Sequence, residues 1–89
     1  MKAVSKTRVE GENGVVIQLD RGRVKYGLGD MRTNVEIEHG IGEISLYKQS
    51  IQKWFPPYEA CAMDAATKAK IVSDICQAMA LIGVGCRVE

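Results

Sequence analysis

The sequence predicts an α+β fold: an antiparallel meander of four to five strands, with one C-terminal helix packed on one face. Three observations carry this. Apolar and polar residues alternate through the first half of the chain, the period of a strand. The last third places apolar residues at three- and four-residue spacing, the period of a helix. The chain has 89 residues, which suits a single domain over residues 1–89 with one core between sheet and helix.

Residues 15–19 form the first clear strand, with Val15, Ile17 and Leu19 on one side. Residues 4–10 are a weaker candidate, with Ser5, Thr7 and Val9 sharing a side. Gly11-Glu12-Asn13-Gly14 between them is turn chemistry, because Asn and Gly tolerate positive φ. Asp20-Arg21-Gly22 is the next turn. Val24, Tyr26 and Leu28 then face one way, and Arg23 and Lys25 the other. After Gly29-Asp30, residues 31–38 alternate most clearly, with Met31, Thr33, Val35 and Ile37 opposite Arg32, Asn34, Glu36 and Glu38. That is a strand with one dry and one wet face. His39-Gly40-Ile41-Gly42 turns the chain into residues 43–48, where Ile44 and Leu46 point inward. Turns recur about every eight to twelve residues, which favours hairpins over crossover connections.

Residues 50–53 suit one short helical turn. The following Trp54-Phe55-Pro56-Pro57-Tyr58 suits neither regular helix nor central strand, since proline lacks the amide donor and restricts its predecessor. Its two readings are a rigid connector with Trp54 packed under the helix, and an aromatic anchor exposed to a partner. They are compatible, because a buried Trp54 could hold an exposed Tyr58. Asp64 is an N-cap, and alanines 65, 66, 69, 78 and 80 favour the helix behind it. Ile71, Val72, Ile75, Met79 and Ile82 make its apolar stripe, with Lys68, Lys70, Asp74 and Gln77 mostly off it. Gly83 stops it. Residues 84–88 alternate weakly, as a final edge strand would.

Composition narrows the function. Twelve Lys and Arg against eleven Asp and Glu give a net charge of +1, so no global field favours a nucleic acid or a membrane. The three cysteines are odd in number and form no C-x-x-C pair, which fits reduced thiols in a cytoplasmic protein better than a disulfide framework. Lys2, Lys6, Arg8 and Glu10, with no apolar run among them, are not a signal peptide, and no stretch has the length of a membrane span. The protein is therefore expected to stay in the cytoplasm.

Catalytic constellations are sparse. His39 is the only histidine, so a thiol nucleophile would have to pair it with Cys61 or Cys86, and nothing local marks either as activated. Three scattered cysteines and one histidine have no metal-site spacing. Gly27-Leu28-Gly29-Asp30 lacks the Lys-Ser/Thr and the helix of a phosphate loop. Neither enzyme activity, metal nor cofactor is expected. Glu36 and Glu38 share one strand face, as a solvated face or as an acidic patch for a basic partner. Arg21, Arg23, Lys25 and Arg32 could form a basic stripe, the alternative reading being a small nucleic-acid-binding module on a basic sheet face. Tyr26 lies on the opposite face from that stripe.

Ser50-Ile51-Gln52-Lys53-Trp54-Phe55-Pro56-Pro57-Tyr58, followed by an N-capped helix containing Lys70-Ile71-Val72, resembles the immunity protein 74 family. The family comprises small α+β immunity proteins of bacterial polymorphic toxin systems, including contact-dependent growth inhibition. The resemblance spans roughly residues 14–75. It implies a single immunity-protein-like domain that binds a cognate toxin C-terminal domain in the cytoplasm and blocks it, without catalysis. On the exposure pattern, the partner-binding residues are Arg23, Lys25, Arg32, Glu36 and Glu38 on the outer sheet face, with Tyr47 and Tyr58 as aromatic anchors. The expected state is a monomer or weak homodimer, since an edge strand at residues 84–88 could pair with a copy of itself.

Overall fold

The computed structural model describes residues 1–89, which form seven strands and one helix. The strands are β1 (Lys2–Ala3), β2 (Arg8–Glu10), β3 (Val15–Leu19), β4 (Arg23–Leu28), β5 (Met31–His39), β6 (Glu43–Leu46) and β7 (Gly85–Val88), and the helix is α1 (Ala65–Leu81). They lie in one curled sheet in sequence order, β1 to β7. The first six strands pair antiparallel, and β7 pairs parallel to β6.

This corrects the expected four- to five-stranded antiparallel meander. Residues 4–10 are not one strand but the turn and second arm of a short hairpin. The Ser5 hydroxyl accepts from the Thr7 amide at 3.2 Å, and the Val4 and Ser5 amides both turn back to the Arg8 carbonyl. Such local side-chain bonds compete with a ladder, so pairing resumes only at β2. The final strand is the other departure. It is reached by a crossover through α1, the connection that turn spacing argued against, and a crossover returns the chain parallel. The Gly85 amide donates to the Gly42 carbonyl and the Glu89 amide to that of Leu46, which sets the register.

The three longest alternating strands fall where expected. Val24 pairs with Val35 and Tyr26 with Thr33, so their inward sides meet across β4 and β5. The turn before β3 is a short 3-10 segment in which Asn13 and Gly14 take positive φ of 60° and 80°.

After β6 the chain makes a 3-10 turn at Lys48–Ser50, slightly earlier than the expected turn at 50–53. It then continues along the edge of β5 that β6 has left. The Phe55 amide donates to the Arg32 carbonyl at 2.8 Å, and the Thr33 hydroxyl to that of Lys53 at 3.1 Å. This irregular run satisfies edge groups that would otherwise be open. Trp54 turns inward and is buried, while Lys53 and Phe55 on either side are exposed.

Asp64 caps α1 by accepting the Thr67 amide at 2.8 Å. At the other end the Val84 amide donates to Met79 and the Gly83 amide to Ala80, with Gly83 at φ +77°. These are the two bonds of a Schellman stop, whose left-handed position suits glycine. Ile71, Ile75, Ala78 and Met79 are buried against the sheet, while Val72 and Ile82 lie at the margin of the stripe. The core also contains Val9, Ile17, Ile44, Leu46 and Ile51, so it spans every strand from β2 to β6. No helix is long and apolar enough to cross a membrane.

Candidate functional site: the outer sheet face

Alternation along β4 and β5 puts Arg23, Lys25, Arg32, Glu36 and Glu38 on the face away from α1, and all five are exposed. Arg23 stands directly opposite Glu36 across the two strands, yet neither is in an ion pair. Both line a polar cavity of about 710 Å³ together with Asn34, Tyr47, Gln49 and Ser50.

Three bonds build one wall of that cavity. The Glu36 amide donates to the Ser50 hydroxyl at 2.9 Å, Ser50 donates to the Tyr47 carbonyl at 2.7 Å, and the Tyr47 amide donates to the Glu36 carbonyl at 3.0 Å. The Glu36 backbone is held and its carboxylate left free. The Tyr47 hydroxyl donates to Glu38 Oε2 at 2.6 Å. That bond, before burial and the Glu38 charge, holds the Tyr47 hydroxyl above the ordinary range for tyrosine.

The basic end of the face is arranged differently. Lys25 Nζ lies 3.5 Å from Asp20, and Arg32 Nη1 donates to the Gly29 carbonyl at 2.9 Å. Arg32 lies across Gly27, where an added Cβ would come 2.6 Å from Nη1. These residues border a second cavity of about 490 Å³ with Arg8, Gln18 and Asp20. The Arg21, Arg23, Lys25 and Arg32 stripe is thus interrupted by Asp20 and Glu36. Tyr26, its nearest aromatic in sequence, is buried on the other face.

Tyr58 is set apart from this group. It is half-buried and packed against the core beyond the prolines. Residues that alternation did not single out also belong to the surface. Gln49 and Ser50 join it because the chain turns back over the end of β5. Ile41, at the tip of the β5–β6 turn, and Phe55, beside Arg32, are large and exposed. Their signal was an apolar residue set among turn formers.

The opposite side of the sheet holds a polar lock. The Tyr26 hydroxyl donates to Asp74 Oδ2 at 2.6 Å, and Lys70 Nζ reaches the same oxygen at 2.6 Å. Burial first, and then Asp74, raises the Tyr26 pKa well above the usual value. The thiols form no catalytic pair. His39 Nε2 lies 3.0 Å from the Asp20 carbonyl oxygen, and Ile44 separates it from Cys86 across the strands. Cys76 and Cys86 bring their sulfurs to 3.1 Å, and burial followed by the Cys76 contact pushes the Cys86 thiol up to about 12. Cys61 is exposed. No group of three or more His, Cys, Asp or Glu side chains gathers where a metal could be held.

The family model of immunity protein 74 matches residues 16–88. The chain belongs to that family. The resemblance around Trp54, Pro56 and Pro57 therefore extends through α1 to β7, and it begins after β2. No curated protein and no solved structure matches the chain. Membership makes this an immunity-type protein, of a kind that protects against a toxin and is generally not an enzyme.

Proposed function

We propose that this chain is the immunity protein of a contact-dependent growth inhibition system, and that it neutralises its cognate toxin in the cytoplasm by binding the toxin's C-terminal domain. The observation that carries the reading is the family match over residues 16–88. The outer face supplies the means. Arg23 and Glu36 are adjacent, opposite in charge and unpaired, so each is free for a complementary group on a partner. With a net charge of +1, the protein draws little on long-range steering, and specificity rests on such local pairs.

The test is co-purification with the domain encoded immediately upstream of this chain's gene, joined to growth rescue of cells expressing that domain. A stable one-to-one complex that restores growth is the expected result. Toxicity unrelieved by co-expression, with no complex recovered, would remove the reading.

A further inference from the structure

The cavity around Arg23 and Glu36 ends at the Lys48–Ser50 turn and the two residues after it. On the far side lies a groove of about 780 Å³ between that turn and α1. Its origin is in the helix sequence. Ala65, Lys68, Ala69 and Val72 follow i, i+3, i+4, i+7 spacing, so they form one strip along α1. That strip is distinct from the core strip of Ile71, Ile75, Ala78 and Met79. The core strip meets the sheet. The second strip carries methyl groups at 65 and 69, too short to reach the turn, and the gap stays open.

The floor is apolar: Ile51 is buried beneath it, and Ala65, Ala69 and Val72 form the helical wall. Lys48 and Lys68 are its only charged lining residues, and neither makes an ion pair. Apolar surface between two free ammonium groups suits an amphipathic segment that brings an apolar side chain with carboxylates beside it. Gln49 and Gln52 line both this groove and the outer-face cavity, so one partner can be continuous across the turn.

We propose that the groove is the second half of the toxin contact and receives an acidic amphipathic segment of the toxin domain. The apolar side chain sits against Ala69 and Val72, and the carboxylates meet Lys48 and Lys68. This inference rests on the immunity reading and assigns the partner's chemistry at a place the sequence pattern did not mark.

The experiment is a calorimetric titration of the upstream-encoded toxin domain into four full-length chains. They are the wild type, Ala69→Met, Lys48→Glu with Lys68→Glu, and Arg23→Glu with Glu36→Arg. Ala69→Met fills the groove from a solvent-facing helical position and keeps helix propensity. Both groove variants are expected to bind at least about tenfold more weakly, with folding confirmed by circular dichroism. If Ala69→Met disturbs folding, the lysine variant decides alone. Wild-type affinity in the folded groove variants overturns the groove while the immunity reading stands. No binding by the wild type removes both. Groove substitutions that abolish only self-association in sedimentation, with toxin affinity unchanged, assign the groove to a second copy and overturn the proposal.

Discussion

The two faces of the sheet are written in the same alternating code but are finished differently. On the helix-covered face the buried polar side chains are matched: Tyr26 with Asp74, Thr33 with the Lys53 carbonyl, and no buried side-chain polar atom lacks a partner. On the outer face Arg23 and Glu36 stand opposite each other with both charges free. Cross-strand neighbours of opposite sign are a ready source of stabilisation, and here it is left unused. Groups satisfied within the fold determine whether it forms, and groups left free are available for recognition. Substitutions on the two faces should therefore separate stability from binding.

The sharpest break is Trp54→Ala. Trp54 is 2% exposed and stacks at a tilt on Tyr26, with ring centroids 6.3 Å apart. Its truncation should cost about 3–5 kcal/mol, as for other core aromatics. That is a large share of the roughly 4–13 kcal/mol expected of a domain this size. Urea denaturation measures it, and a variant as stable as the wild type would mean that the irregular segment does not depend on its tryptophan.

Tyr26→Phe is a finer cut on the same face. It keeps the ring and leaves Asp74 with Lys70 alone, at a cost of about 1–2 kcal/mol. It also has a pH signature. The folded state holds the Tyr26 proton above the unfolded value of about 10. The stability this contributes is fully present below that pH and is lost as pH rises through the alkaline range. Tyr47 and Cys86 are shifted the same way, so the informative quantity is the difference between the two proteins. The wild type should lose its advantage over Tyr26→Phe above pH ~10. A constant gap at all pH values would mean that the hydroxyl is not held by the fold.

The sequence made the two faces legible and left their joins obscure. Alternation is local, so Val15 to Leu19, Arg23 to Leu28 and Met31 to His39 showed both their extent and their sides. Asp64 and Gly83 marked the helix ends because caps are chemistry within a few residues. The parallel β7 was not legible as parallel, since direction depends on a crossover whose path no short pattern records. Likewise Ser50, Gln49 and the Ala65–Ala69 strip became surface features only when the turn after β6 brought distant segments together. Tyr58 sat in the most distinctive motif, but its side chain follows Trp54 toward the core.

On the outer face, Arg23→Glu combined with Glu36→Arg keeps the net charge and the cross-strand opposition while inverting both signs. Stability should move by less than about 0.5 kcal/mol, as for exposed positions outside packed networks. Affinity for the toxin domain should fall by about tenfold or more. Unchanged affinity would take this face out of the interface.

The smallest effect belongs to the thiols, and it tests the boundary between the faces. Cys61 is exposed in the loop before α1, so alkylation there should leave both stability and binding unchanged. Cys86 lies in the seam between β7 and α1, beside Cys76. Burial and the Cys76 contact push this thiol well up, so it is scarcely ionised at pH 8, and the thiolate is the reactive form. Mass spectrometry after brief iodoacetamide treatment should therefore find Cys61 modified and Cys86 spared. The contrast should narrow as pH rises, because ionisation of Cys86 grows tenfold per pH unit below its pKa. Equal modification of Cys61 and Cys86 at pH 8 would show that the seam opens to solvent, and the helix-covered face would then be less closed than its packing implies.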